Sequence, residues 1–138
     1  MDATKSPMGA RLLKRWLIFP LQNVTQINNR LDAVETLLNE PAASAVIIEL
    51  IESCGDLERL SSKLSTRKLQ PREFMQLAKS LEAIEQIKQA LSPIDNDYLQ
   101  HINKELDICA NSKKIILAIL NIFGSIIFSK YSLRLPII

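Results

Sequence analysis

The chain has 138 residues and nearly balanced charge, with 17 lysines and arginines against 15 acidic residues. A chain of this length is expected to form one domain. Because its charge is balanced, the protein as a whole has no strong positive potential that would indicate a polyanionic partner. Leucine and isoleucine make up 39 residues, whereas only three are glycine, so the composition argues against sandwiches and barrels and favours an all-helical domain.

Prolines and capping residues predict the first two helices. The first begins at Ser6-Pro7, because proline suits the first helical position, and it ends near Pro20. The second is capped by Asn23 or Thr25, and it ends at Glu40-Pro41, because the residue before a proline disfavours the α conformation. An apolar residue recurs every three or four positions between these limits, as in an amphipathic helix.

Three further helices are predicted by the same kinds of signal. The third covers about Ala42–Ser53, and Gly55 is expected to stop it. Asp56 caps a short fourth helix. The fifth runs from Gln70-Pro71 to Ser92-Pro93 with an apolar seven-residue rhythm, which a lysine interrupts near its end.

The sixth predicted helix begins near Asp95 or Asn96 and continues to Leu120. Its seam follows the alternating spacing of three and four that is typical of helix pairs; the seam consists of Leu99, Ile102, Leu106, Cys109, Lys113, Ile116 and Leu120. The fifth and sixth helices would each extend roughly 30–40 Å at 1.5 Å per residue. The predicted fold is therefore an all-α, irregular bundle of about six helices with a long antiparallel helix pair.

Composition changes near the carboxyl end of the chain. Residues Ile108–Ile138 hold nine of the 18 isoleucines and no acidic residue, and Ile115–Phe128 is almost continuously apolar. Fourteen residues fall short of the ~20 that span a bilayer, so a buried helix is favoured over a membrane anchor, which stays as an alternative. We expect a helical domain over residues 1–120, an apolar, divergent tail over 121–138, and a homo-oligomer formed through that tail.

The residue inventory argues against several kinds of chemistry. Gly9, Gly55 and Gly124 are too far apart for a glycine-rich phosphate loop. The chain has one histidine, His101, and two cysteines that lie far apart in sequence. They match no zinc-binding motif and no disulfide framework. No catalytic, cofactor-binding or metal-binding residue is predicted. The amino-terminal stretch shows no cleavable secretion signal, so a cytoplasmic location is expected.

Two short basic patches leave nucleic-acid binding open as another alternative. One patch consists of Arg11, Lys14 and Arg15, and the other of Arg67, Lys68 and Arg72. A phosphate would suit either patch. No aromatic residue alternates with these bases, so stacking on single strands is not indicated.

Five segments in fixed order resemble a long signature of the MutS family of DNA mismatch repair proteins. They are Met8–Leu17, Pro20-Leu21, Ile27–Val34, Asp56–Leu60 and Gln70–Glu73. The last two correspond to the family stretches DLERL and SPR(D/E). The resemblance extends from about Asp2 to Leu120, and Thr4 and Ser6 also fit the family's lead-in.

The resemblance implies domain III, the helical core and lever domain that links the family's ATPase to its DNA clamp. The partners it implies are the remaining MutS domains or a second subunit, with DNA reached only through the intact protein. No catalytic or base-reading residue of the family maps onto this chain. The positions that carry over are structural: Gly9 and Arg11 at a helix start, Trp16 and Leu31 in packing, and Asp56, Glu58 and Arg59 in a bundle contact.

Overall fold

A computed structural model describes residues 2–120, and this part of the chain is helical without a strand. The all-α prediction is therefore confirmed. Six helices follow one another along the chain: α1 (Pro7–Ile18), α2 (Val24–Asn39), α3 (Pro41–Ser53), α4 (Leu57–Ser65), α5 (Pro71–Leu91) and α6 (Asp97–Glu105). Residues 110–120 form a further helical stretch.

Side-chain caps begin α1, α2 and α4 where the sequence predicts them. The Ser6 hydroxyl accepts a hydrogen bond from the Gly9 amide at 3.1 Å, and the Asn23 side chain accepts one from the second helix's first turn at 3.2 Å. Asp56 does the same for α4. Each cap satisfies an amide that would otherwise lack a partner at the start of a helix.

Two apolar clusters form the core, and α5 contributes to both. The first joins α2, α3 and α6 to the carboxyl end of α5; it contains Ala33, Ile47, Leu91, Ile94 and Leu99. The second joins α4 and the helical stretch 110–120 to the amino-terminal half of α5; it contains Leu60, Leu77, Ala78, Leu81 and Ile116. α5 is 21 residues long, or about 31 Å, and α3 packs along it.

The predicted long sixth helix is wrong, because α6 ends at Glu105 and residues 106–109 are not helical. The Leu106 carbonyl accepts a hydrogen bond from the Lys88 ammonium at 2.8 Å, and Asp107 accepts one from the Cys109 amide at 2.8 Å. Cys109 adopts a φ of 46°, which interrupts right-handed helix geometry. The antiparallel partner of α5 is therefore two shorter helical pieces.

Gly55 follows α3 as predicted, but its role differs from the expected left-handed stop. Among the described glycines none has a positive φ. A Cβ on Gly55 would lie 2.8 Å from Cγ of Gln76, and the Gly55 amide donates to the Ser80 hydroxyl at 2.9 Å. Glycine is required here because the chain passes close against α5. The predicted apolar tail, residues 121–138, lies outside the described residues.

Candidate functional site

Arg11 of α1 joins two carboxylates at the start of α4. Its two terminal nitrogens donate to the two Asp56 oxygens at 2.8 Å each, and its Nε donates to Glu58 at 2.8 Å. The planar guanidinium matches the two oxygens of a carboxylate, which the single ammonium group of a lysine could not do. The hydrogen bond from Arg11 lowers the pKa of Asp56 to about 2 despite partial desolvation, and the same pairing raises the pKa of Arg11.

The local fold explains why these groups meet. Asp56 is held at the amino terminus of α4, where its side chain also accepts from the Arg59 amide at 3.3 Å. Gly9 lies in the first turn of α1, where a Cβ would come 3.1 Å from the Ser6 hydroxyl. Asp56 and Glu58 thus both pair with Arg11, whereas Arg59 forms no ion pair in the described residues; the family role of these three positions stays a prediction.

Within residues 2–120, charge pairs are the specific contacts of α1, whose apolar residues Met8, Ala10 and Leu13 are only partly buried. No residue of α1 is buried. Besides the Arg11 contacts, Lys5 pairs with Glu52 of α3 at 2.7 Å. Exposed ion pairs contribute little stability each, so α1 is the most weakly attached helix of the described bundle.

Trp16 and Leu31, which the resemblance implies in packing, are not buried within residues 2–120, so their packing role stays a prediction. Trp16 is 42% exposed and Leu31 is 60% exposed. The Arg30 guanidinium carbon lies 3.9 Å from the centre of the Trp16 ring, which is the geometry of a cation–π contact. Trp16 therefore lies at the surface of the described bundle, where its ring contacts Arg30.

A broad apolar surface extends along α1, α2 and the turn between them. Its members are large apolar side chains that are each more than 40% exposed; they are Leu12, Trp16, Leu17, Ile18, Phe19, Val24, Leu31, Val34 and Leu38. We call this set the α1–α2 apolar face. Large apolar side chains that stay exposed in such number are typical of regions where another surface binds.

The structure regroups the second basic patch. Arg72 lines a cleft of about 590 Å³ between α4 and α5 with Arg59, Lys63 and Lys79, whereas Arg67 and Lys68 do not line it. Sequence spacing alone did not indicate this grouping, although Arg59 and Arg72 both lie in the family-like segments. The i, i+4 spacing of Arg59 and Lys63 on α4 was the available signal.

Two further results concern the described residues. Within residues 2–120, no group of three or more histidine, cysteine, aspartate or glutamate side chains is arranged to hold a metal ion. No helix in that range is long and apolar enough to cross a membrane. The alternative membrane segment Ile115–Phe128 continues beyond the described residues.

Comparison with known proteins finds relatives by sequence over most of this chain. Curated relatives named DNA mismatch repair protein MutS include those of Bacteroides thetaiotaomicron (47% identity over 109 residues, 79% of this chain and 13% of the relative), Phocaeicola vulgatus (45% over 116 residues, 84% and 13%) and Caldicellulosiruptor bescii (39% over 107 residues, 78% and 12%). The chain spans about an eighth of the length of these curated relatives.

A family model described as MutS domain III matches residues 1–126, which is most of the chain. The predicted resemblance is confirmed by this match. This chain belongs to the MutS domain III family.

Proposed function

We propose that the chain acts as a structural module of a MutS-type mismatch repair protein, in which it links the ATPase to the DNA clamp. The observation that carries the proposal is the α1–α2 apolar face. Its side chains are exposed in residues 2–120, and the relatives are about eight times longer than the matched segment. We infer that other parts of a MutS-type protein, or a second subunit, cover this face.

The energetics favour docking over exposure. Fully burying one exposed large apolar side chain is worth about 1.5–3 kcal/mol, and the face holds nine that are 42–75% exposed, so each would gain part of that energy. The charge pairs of Arg11 and Lys5 orient α1 while leaving its apolar side available. Such an arrangement suits a helix that the charge pairs hold on one side and another surface covers on its apolar side.

The module is proposed to contribute no catalysis of its own. The three glycines of the chain are too dispersed for a phosphate-binding loop, so ATP binding would belong to other parts of the protein. DNA would be reached through the intact protein. A cytoplasmic location follows from the same proposal.

A chimera tests this function. The matching 109-residue segment of the Bacteroides thetaiotaomicron relative is replaced by that of this chain, and binding of mismatched DNA and ATP hydrolysis are measured. We expect the chimera to retain both activities. Leu17→Asp and Phe19→Asp change side chains that are 75% and 72% exposed, so the isolated chain should keep its helical content while the chimera loses mismatch binding.

Leu64→Asp serves as the control, because Leu64 is 42% exposed and belongs to α4 rather than to the α1–α2 apolar face. This control chimera should behave like the unmodified one. Chimeras with Leu17→Asp and Phe19→Asp that bind mismatched DNA normally would contradict the docking role. Specific mismatch binding by the isolated chain would contradict the dependence on other domains.

A further inference from the structure

The cleft between α4 and α5 is rich in cations whose charge is not locally balanced. Arg59, Lys63, Arg72 and Lys79 line it together with Asp56 and Glu73. Both carboxylates are already engaged, Asp56 by Arg11 and Glu73 by Lys63. Within residues 2–120, Arg59, Arg72 and Lys79 make no ion pair.

Glu73 is also committed to the local fold. It accepts a hydrogen bond from the Gln70 amide at 3.0 Å, which closes the capping box at the start of α5. The hydrogen bond from Lys63 lowers the pKa of Glu73. The carboxylate therefore stays ionised and paired with Lys63; it also attracts Arg59 at longer range, and it forms no ion pair with Arg72 or Lys79.

The position of Arg72 is unfavourable for the helix that carries it. It is the second residue of α5, where the helix dipole already presents positive potential and favours anions. The dipole and Arg72 thus add to the positive potential of Arg59 and Lys79. An anionic group in this cleft would relieve that repulsion.

A second groove continues the cleft along α5 and is mainly apolar. It has a volume of about 390 Å³ and is lined by Ala78, Leu117 and Leu120 together with Glu82 and Lys113. Met75 and Lys79 line both grooves, so the two form one surface. Met75 is 52% exposed at the junction. We call the combined surface the α5 groove.

We propose that the α5 groove binds an acidic amphipathic helix of a partner protein. Carboxylates on that helix would meet Arg59 and Arg72, and its apolar side chains would cover Met75 and Leu117. The occupant must have both properties, because one half of the groove is cationic and the other half is apolar. This inference goes beyond the proposed function, since it concerns a surface separate from the α1–α2 apolar face.

The charges of the groove select among occupants. A nucleic-acid backbone would match the cations but would leave the apolar half uncovered. Residues 121–138 of this chain contain Lys130 and Arg134 and no acidic side chain, so they do not complement the cationic half. Glu82 lies in the apolar groove, so the acidic end of the partner helix should lie over Arg72.

The dimensions suit a short helix. The stretch of α5 from Arg72 to Glu82 extends about 15 Å at 1.5 Å per residue, which is nearly three helical turns. Amphipathic helices that bind in grooves present their anchors at spacings of three and four residues over such a length.

The test uses the full chain and a fluorescein-labelled helical peptide of about 16 residues, roughly 24 Å long. The peptide carries glutamates in its amino-terminal half and leucines along one face. Fluorescence anisotropy should show saturable binding. Arg59→Glu with Arg72→Glu should weaken binding at least about tenfold, because complementary charges become repulsive. Met75→Ser should also weaken it.

The matched control is Lys14→Glu with Arg15→Glu, an equal charge reversal on α1. It should leave the affinity unchanged, and a peptide with lysines in place of glutamates should not bind. Circular dichroism verifies that each variant is folded. The proposal is overturned by equal loss in the control variant, by absence of saturable binding to the folded chain, or by tighter binding of duplex DNA that depends on Arg59 and Arg72.

Discussion

Replacing Ser80 by alanine should destabilise the bundle through a single backbone amide. The Ser80 side chain is fully buried, and its hydroxyl accepts from the Gly55 amide at 2.9 Å and donates to the Gln76 carbonyl at 2.8 Å. Alanine leaves the amide of Gly55 without its acceptor. Leaving a buried donor unpaired costs about 1–3 kcal/mol.

The helix propensity of alanine offsets part of that cost. Alanine is better than serine inside a helix by about 0.5 kcal/mol, so the net loss should be about 1–2 kcal/mol. With an m value of about 1.5 kcal/mol/M, the urea midpoint should fall by about 1 M. Urea titration followed by circular dichroism at 222 nm, the helical band, measures this change.

Ser61→Ala provides the control for this experiment, because Ser61 is an exposed residue inside α4. It gains the same helix propensity without losing a buried hydrogen bond, so its midpoint should stay equal or rise slightly. A Ser80→Ala midpoint that matches the control would refute the reasoning. It would show that the Gly55 amide finds another partner or water at no cost.

Three other predictions follow from contacts of single side chains. The pKa of Asp56 is lowered to about 2, so its contribution to folding is present above the ordinary value of 3.8 and is lost as pH falls through 2; NMR titration should show this, and in Arg11→Met the pKa of Asp56 should rise toward 3.8. Trp16→Ala should cost less than about 1.5 kcal/mol, since its ring is partly exposed, and Arg30→Ala should alter the tryptophan emission spectrum; a loss of 3 kcal/mol by urea titration would indicate a buried anchor. Leu81→Ala should cost about 2–5 kcal/mol in the same assay, because Leu81 is buried in the second cluster, and an unchanged midpoint would contradict its place there.

Local signals predicted the helices well because each cap depends on residues close in sequence. Ser6, Asn23 and Asp56 all begin helices where expected. The end of α6 was missed because the contact at its end comes from Lys88, 18 residues earlier. Apolar spacing continues across the interruption, so periodicity alone could not reveal it.

The sequence indicated which residues belong to the candidate site, but it did not indicate how they pair. The family-like positions included Arg11, Asp56 and Glu58, but their pairing spans 45 to 47 residues and needs the tertiary fold. The resemblance implied a packing role for Trp16. In residues 2–120 no helix covers the outer side of α1, so the ring stays exposed.

The sharing of α5 by both apolar clusters has a consequence for unfolding. A helix with buried residues in each cluster cannot melt in one while it stays formed in the other without breaking its own hydrogen-bond ladder. The two clusters should therefore lose protection against amide hydrogen exchange together. α1 lies outside this cooperative unit, so its amides should exchange first while α5 stays protected from end to end.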